Sequence, residues 1–546
     1  MRRNLLNRIV NSIVIGLVLI QLGCSEQGVS DEEKQTVIVP QGGGTYHFAL
    51  RHSPKTLDPV KITDIYSEAV TNQIFEGLVR FGPYLEILPG LAESWSIEDD
   101  GRKYRFKIKQ GVKFHSGEIL TAEDVIFSIK RLLRADPAPL ILPHLLKIIG
   151  AKGYRTRARE NVAGLQQVGQ NTVVIHLENS HMPLLAALGM YQAHIVSKKD
   201  IHNFKERFDR YPSGTGPFRL SGYDENGAVE LVRHDAYHMG VPYLEKIFYR
   251  VYENDSYLKV LDDFTKGLLD EIPIYGNARE KLNNGVPYNW FQRPSLSLMF
   301  YGMNMQHPNL QSSALREAMS ISINRQALVN EVYNGQYEIA RTILPLGMPG
   351  YNPLKRVGDN DVEVAADMIQ RAFADQGKEV PEIELVSAID GPIVDAEMTL
   401  MKEYWARIGV TVNVRYITDW HEFDAYLRSN KVQLYRYAWH ADLPDPDSFL
   451  YALFSSSSSN NFMQYRDEWV DTILERARGV VNPVQRVKLY QEIESRIMFS
   501  TPLIPLMYLN VNRVYQPYVK NINVGALGAH ATILDSVWLD KPSLSK

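Results

Sequence analysis

Trp439-His440-Ala441-Asp442-Leu443-Pro444-Asp445-Pro446-Asp447 is a polar, proline-rich corner in the last quarter of the chain. Residues 432–438, which precede it, have the β-branched and aromatic residues of a strand. Arg436, Trp439 and Asp442 therefore lie at the end of one predicted strand, where α/β proteins usually hold their ligands. An exposed acidic turn is the alternative interpretation, and the remainder of the chain favours the ligand contact.

The composition describes a mildly acidic chain with ample apolar residues for packed cores. It has 546 residues, 45% of them hydrophobic, and a formal net charge of −4. That length predicts more than one domain, at ~100–200 residues each. A negative chain lacks the basic patches that nucleic acids select, so we expect no nucleic-acid partner.

The amino terminus has the pattern of a secretory signal peptide. Three arginines precede an apolar run at residues 9–22, which is too short to span a bilayer permanently. Cys24 is the only cysteine, and its setting resembles a bacterial lipobox, although Gln21 stands where that motif prefers leucine. We expect cleavage after residue 23, lipidation of Cys24 and a flexible tether at residues 24–37. An ordinary signal peptide with a chance cysteine is the alternative.

The first third of the mature chain carries several characteristic segments. Thr121 with Asp124 three residues later predicts a capped helix start, and residues 66–79 predict an amphipathic helix. The segments are Leu57-Asp58-Pro59, Phe75-Glu76-Gly77-Leu78-Val79, residues 88–95 (LPGLAESW), residues 111–117 (GVKFHSG) and residues 121–128 (TAEDVIFS).

In combination these segments resemble the solute-binding proteins of peptide and nickel ABC transporters, the bacterial extracellular solute-binding protein family 5. Matching segments continue at residues 213–220, 300–304, 315–325 and 501–506. The resemblance implies an α/β, two-lobed periplasmic-binding-protein fold (cluster C, type II) with an extra subdomain inserted in the first lobe. Two strands, near 298–306 and 503–511, would connect the lobes, which close by hinge motion.

The implied domain limits follow from the same resemblance. They are a signal peptide at 1–23, a tether at 24–37, lobe I in three parts at 38–62, 207–300 and 507–546, an inserted subdomain at 63–206, and lobe II at 301–506.

The resemblance also implies a set of cleft residues. In the oligopeptide binders an aspartate at the position of Asp442 pairs with the ligand ammonium, and an arginine at the position of Arg436 reaches a ligand carboxylate. Trp420 and Trp439 would be tolerant aromatic walls. The alternatives are a structural ion pair for Arg436 and a core aromatic for Trp420.

Three further features belong to this predicted site. Thr63, Asp64 and Ile65 match a stretch that lies beside the bound peptide backbone, and an ordinary surface turn is their alternative. His440 lies inside the corner, where a metal or metallophore role is an alternative. Leu427 stands where the oligopeptide binders have a second arginine, with Arg428 next to it, which leaves the ligand length open.

The implied function is a lipid-anchored substrate-binding component, periplasmic or on the cell surface. It would capture short peptides and deliver them to an ABC transporter permease in the inner membrane, as a monomer without cofactor or metal. Nickel complexes, oligosaccharides, opines or haem are alternative ligands on the same fold, and a ligand-sensing receptor is a different class. We find no nucleophile–base pair for a hydrolase, so no enzyme is expected.

Overall fold

The computed structural model describes residues 40–224, 227–253, 256–275, 278–352, 358–429 and 431–541. The predicted signal peptide, Cys24 and the tether lie outside the described residues. Residues from Pro40 onward form one compact unit. Within the described ranges, no helix combines the length and the apolar character that crossing a membrane requires.

The strands follow one another along the chain as β1 (Thr45–Leu50), β2 (Val79–Phe81), β3 (Ile87–Pro89), β4 (Ala92–Glu98), β5 (Lys103–Ile108), β6 (Leu165–Val168), β7 (Thr172–His176), β8 (Phe218–Tyr223), β9 (Val229–Arg233), β10 (Lys246–Val251), β11 (Glu271–Pro273), β12 (Asn289–Pro294), β13 (Ser297–Met303), β14 (Glu338–Ile339), β15 (Ile383–Ser387), β16 (Val412–Tyr416), β17 (Leu434–His440), β18 (Leu503–Tyr508), β19 (Asn510–Tyr515), β20 (Val519–Lys520) and β21 (Trp538–Leu539).

The α-helices are α1 (Ile65–Ile74), α2 (Ala122–Leu133), α3 (Leu142–Leu145), α4 (Ala151–Arg155), α5 (Pro183–Ala187), α6 (Lys198–Phe204), α7 (Tyr257–Thr265), α8 (Ala278–Lys281), α9 (Ser313–Ile321), α10 (Arg325–Ala327), α11 (Val362–Ala372), α12 (Pro392–Arg407), α13 (Trp420–Leu427), α14 (Asp447–Phe454), α15 (Glu468–Gly479) and α16 (Pro483–Ser500).

Two of these elements test the sequence patterns directly. The capping box is confirmed, because Thr121 and Asp124 each bond the other's backbone N–H at the start of α2. The predicted helix over residues 66–79 is wrong at its end, since α1 stops at Ile74 and the chain turns extended at Phe75. A physical reason is that the Ile74 carbonyl oxygen accepts from the Gly216 backbone N–H at 2.9 Å instead of from the next turn of the helix.

The sheets separate the molecule into two lobes and an inserted subdomain, as the predicted fold class requires. The first lobe holds a sheet of order β1-β10-β9-β8, and the second lobe a sheet of order β14-β18-β13-β17-β15-β16. The inserted subdomain, predicted at residues 63–206, contains the antiparallel sheet β4-β5-β7-β6. Helix α1 lies within those limits but packs in the same core as β1 and β10, so it belongs to the first lobe. In the second lobe β17 is central, antiparallel to β13 and parallel to β15.

Two neighbouring chain segments pass between the lobes. β12 leads into β13 through Ser295 and Leu296, and β18 leads into β19 through Leu509. The Ser295 backbone N–H donates to the Leu509 carbonyl oxygen at 2.8 Å, and the Leu509 N–H donates to Ser297 Oγ at 3.1 Å. These crossings form the hinge. The chain changes sheet at residues 295–296 and 509. The lobe limits that the resemblance implies, at 300/301 and 506/507, stay predictions.

Separate apolar cores lie in the three regions. One fills the inserted subdomain, another the first lobe, and two lie against the second-lobe sheet. Leu443, from the corner after β17, is buried in the core of the inserted subdomain and not in that of its own lobe. The corner therefore joins the second lobe to the inserted subdomain.

Candidate functional site

The corner leaves the second-lobe sheet next to the hinge. The last pair of β17 with β13 is His440 with Ser297, so the strand begins and ends two residues later than the predicted 432–438. The Ala441 N–H then donates to the Leu296 carbonyl oxygen at 2.8 Å. Pro444 and Pro446 lack an N–H and end the strand, and α14 begins at Asp447.

Asp442 is the solvent-accessible carboxylate of this corner. Within the described part of the chain it makes no hydrogen bond and no ion pair, and the protein around it raises its pKa by desolvation. Burial raises the pKa of Tyr191, and the charges of Glu68, Asp442 and Asp64 raise it further. Asp442 and the two carboxylates at the start of α1 therefore act electrostatically on the same tyrosine.

Arg436 lies in a buried polar network beneath the cleft. Its Nε is 3.0 Å from Oε2 of Glu397, and both side chains are almost fully buried. The Tyr301 hydroxyl donates to Glu397 at 2.5 Å, the Tyr333 hydroxyl also donates to this carboxylate, and Arg436 Nη2 donates to Tyr333 at 3.2 Å. This geometry matches the structural-ion-pair alternative, and contact of Arg436 with a ligand stays a prediction.

The two predicted tryptophan walls have different environments. Trp439 is partly buried, and its Nε1 donates to the Ser448 carbonyl oxygen at 2.7 Å, which ties the corner to α14. Trp420, the first residue of α13, is 54% exposed. Its ring centroid lies 6.1 Å from that of Tyr437, so one face packs on the sheet while the other is accessible.

In the stretch at residues 63–65, the middle residue has a structural role and its two neighbours have solvent-accessible side chains. Asp64 caps α1, because Oδ1 accepts from the backbone N–H groups of Tyr66 and Ser67. Thr63 and Ile65 are exposed on either side of it. Ile65 therefore remains available to a ligand, and Asp64 is occupied by its own helix.

A cleft of about 600 Å³ lies between the lobes at the hinge. The second lobe contributes Tyr333, Tyr337 and His440, and the hinge contributes Ser295 and Leu509–Arg513. Of the predicted site residues, Ile65 and His440 line this cleft, whereas Asp442, Arg436, Trp420, Trp439, Thr63 and Asp64 do not. The first lobe contributes Phe48–Arg51, Ile65, Tyr66, Tyr275 and His530, among others.

Sequence reasoning missed most of this lining. No sequence motif pointed to the four tyrosines of the lining, Tyr66, Tyr275, Tyr333 and Tyr337. The one related signal was the large number of tyrosines in the chain, 30 in all. His530 comes from the carboxyl-terminal return, where no motif was identified. Among the described residues, no cluster of three or more His, Cys, Asp or Glu side chains could hold a metal ion.

His530 leads from the cleft to a buried carboxyl. Its Nε2 lies 3.6 Å from Oε2 of Glu68, which is only 7% exposed. Burial raises the pKa of Glu68 to about 8 and lowers that of His530 to about 4. At neutral pH this pair therefore carries little charge, although it lies beside a polar cleft.

Comparison with known proteins identifies the class. The chain belongs to the bacterial extracellular solute-binding proteins of family 5, whose "family 5 Middle" model matches residues 86–461. It is 26% identical to heme-binding protein A of Haemophilus influenzae, over 90% of this chain and 92% of that protein. It is likewise 26% identical to the dipeptide-binding protein of Escherichia coli, over 91% and 95% of the two chains.

A solved structure agrees with the two-lobed fold. The periplasmic murein tripeptide-binding protein MppA, in its unliganded open form, superposes with a TM-score of 0.81 at 20% identity, over 92% of this chain and 98% of that one. The family consists of solute-binding transport proteins, and these relatives include periplasmic ones.

Proposed function

We propose that this protein is the extracytoplasmic substrate-binding component of an ABC transporter. It captures short peptides in the cleft between its lobes and delivers them to a permease in the inner membrane. The support comes from membership of family 5, from the full-length similarity to a dipeptide-binding protein, and from a hinge cleft lined by both lobes. It acts by binding and closure, without catalysis and without a cofactor.

The observation that carries this proposal is Asp442. This carboxylate lies at the hinge and forms no pair with a described protein group. Its surroundings already desolvate it, so it is suited to bind an ammonium group of a ligand. A peptide amino terminus is such a group. By contrast, a neutral sugar would leave the carboxylate without a charge partner.

The other predicted contacts are assigned supporting roles. Ile65 and Thr63 lie beside the peptide backbone, and Trp420 covers varied side chains with its exposed face. Arg436 acts through Tyr333, to which it donates and which lines the cleft. Trp439 fixes the corner on α14, and His440 contacts the ligand from the cleft wall.

Asp442→Asn tests the proposal by isothermal titration calorimetry with di- and tripeptides. We expect peptide binding to weaken by about 2 kcal/mol, roughly thirty-fold, because the ligand ammonium loses its charge partner. Asp375→Asn is the matched control, since Asp375 is an exposed aspartate of the same lobe that follows α11 and belongs neither to the corner nor to the cleft lining. Unchanged affinity in the Asp442 variant, or an equal loss in the control, would remove Asp442 from this role.

Native mass spectrometry of the chain starting after Cys24 tests the ligand class itself. Co-purified masses that fragment as short peptides would support transport of peptides and give their length. A single non-peptide mass would contradict it. A ligand-sensing receptor that feeds no transporter is the alternative, and loss of peptide uptake on deleting the gene argues against it.

The anchor is a separate part of the proposal. Lipidation of Cys24 would hold a monomeric binding protein at the membrane, in the periplasm or at the cell surface, near its permease. Metabolic labelling with a fatty acid should mark the wild-type protein and leave Cys24→Ala unlabelled. Equal labelling of both proteins would exclude Cys24 as the modified residue.

A further inference from the structure

A second cavity, of about 240 Å³, adjoins the hinge cleft. The two share Leu527 and Gly528 as a common rim. The first turn of α1 faces the cleft with Ile65 and Tyr66, and later residues of the same helix, Glu68 and Asn72, line the cavity. A ligand lying along α1 in the cleft would therefore lie next to this cavity.

The cavity combines apolar walls with poorly satisfied polar groups. Phe75, Phe81 and Met190 supply apolar surface. His194 Nδ1 is buried, has no hydrogen-bond partner among the described residues, and can accept from an N–H group of a ligand. Arg80 Nε is also unpartnered, but it can only donate, so a ligand cation does not pair with it. Buried polar atoms are normally paired, so the apolar walls and His194 suit a ligand with an apolar stem and a donor at its end.

Glu68 is the acidic group at the entrance. It is more than nine-tenths buried, yet its nearest partners are distant: Asn72 Nδ2 at 3.5 Å and His530 Nε2 at 3.6 Å. The other carboxylates are differently placed. Glu76 accepts from Tyr237 at 3.1 Å and contacts His238 at 2.9 Å. Burial raises the pKa of Asp535, and the Arg80 guanidinium partly opposes this rise. Glu68 is thus the lining carboxyl that most lacks a charge partner.

We propose that this cavity is a second cation subsite, in which Glu68 binds a basic side chain of the ligand. The inference rests on the proposed function, with Asp442 receiving the peptide amino terminus. Glu68 and Tyr191 both line the cavity, and, beyond the effect of burial, the charges of Glu68 and Asp442 both raise the pKa of Tyr191. The preferred substrates are peptides with lysine or arginine at the amino-terminal end.

This arrangement couples binding to proton release. Glu68 faces Asp64 and Asn72 on its own helix, His530 on the carboxyl-terminal segment and Tyr191 on the inserted subdomain. Because burial raises its pKa to about 8, Glu68 is mostly protonated at pH 7. A bound ammonium would favour the carboxylate, so one proton would leave as a lysine peptide enters.

Calorimetry with Lys-Ala-Ala and its uncharged analogue norleucine-Ala-Ala tests the subsite. We expect the wild-type protein to bind the lysine peptide about ten-fold more tightly, and Glu68→Gln to bind both equally. Repeating the titration in phosphate and in Tris should give close to one proton released for the lysine peptide and none for the analogue. Glu123→Gln, on the exposed surface of α2, is the matched control.

The possible results separate the two proposals. Equal affinity of the wild-type protein for both peptides, or a lysine preference that survives in Glu68→Gln, would overturn the cation subsite and leave peptide binding intact. Binding of neither peptide would overturn both. The proton count on the wild-type protein decides the question if the Glu68 variant fails to fold, and no release with the lysine peptide would contradict the inference.

Discussion

Asp442 and Asp445 are three residues apart in one corner, yet their environments are opposite. Asp442 is exposed and unpaired among the described residues, and desolvation raises its pKa. Asp445 is buried and accepts two bonds of 2.8 Å from the guanidinium of Arg486. Burial alone would raise the pKa of Asp445, but Arg486 holds it below its ordinary value. The first aspartate makes no bond to a described group, and the second is part of the buried framework.

The partners of the corner explain this difference. Asp447 lies 3.0 Å from Arg478 Nε, and Arg478 and Arg486 come from α15 and α16. The same region contacts the inserted subdomain, because the Met182 N–H donates to the Arg478 carbonyl oxygen at 2.7 Å and Ser180 Oγ donates to that of Gly479 at 2.7 Å. The buried half of the corner therefore supports the contact between the second lobe and the inserted subdomain.

The largest expected effect is on stability, from Asp445→Asn. Removing this carboxylate leaves Arg486 buried without its charge partner, so the free energy of unfolding should fall by about 3 kcal/mol. Asp442→Asn should change it by less than about 0.5 kcal/mol. Urea denaturation of both variants checks the comparison. A similar loss of unfolding free energy in the two variants would contradict the assignment of Asp445 to the buried framework and of Asp442 to the accessible surface.

A smaller effect concerns acid stability at the subdomain contact. His144 Nδ1 and His181 Nε2 are 2.9 Å apart, and burial, with Arg478 nearby, lowers their pKa values to about 4 and about 2. The unfolded chain takes up protons near pH 6.5, so the free energy of unfolding falls as the pH decreases from about 7 towards 4. His181→Gln should reduce this slope by up to ~1.4 kcal/mol per pH unit.

Urea denaturation of the wild-type protein and the His181 variant at several pH values measures the two slopes. Asp447, whose pKa burial raises to about 7, changes stability in the opposite direction, but equally in both proteins. Their difference therefore reports His181 together with His144, to which it is hydrogen-bonded. Parallel slopes would show that this histidine does not titrate differently in the folded and unfolded states.

The smallest effect is expected at the exposed ligand wall. Trp420→Ala should weaken most peptides by a similar factor, about 1 kcal/mol, whatever their sequence, because the ring offers a general apolar surface. Calorimetry with peptides of different side chains measures this. A loss confined to one peptide would point to a specific contact instead of a general wall.

The sequence determined the architecture because its signals are local. The segments at residues 57–59, 75–79, 88–95, 111–117 and 121–128 led to the family, and a proline-rich corner after a β-branched run located the end of β17. Asp442 was predicted through the family resemblance, from the pattern Trp-x-x-Asp, and its ligand contact stays a prediction. The same reasoning extended α1 too far, because the hydrogen bond at its end involves Gly216, more than a hundred residues later.

Only the tertiary structure decided which charged residues are available. Arg436 pairs with Glu397, and Asp445 with Arg486, across 39 and 41 residues of sequence. Glu68 became a candidate only when the fold buried it beside a cavity formed with Tyr191 and the carboxyl-terminal segment. A sequence pattern reports the residue type at each position, whereas burial and charge pairing depend on segments that meet only in the folded chain.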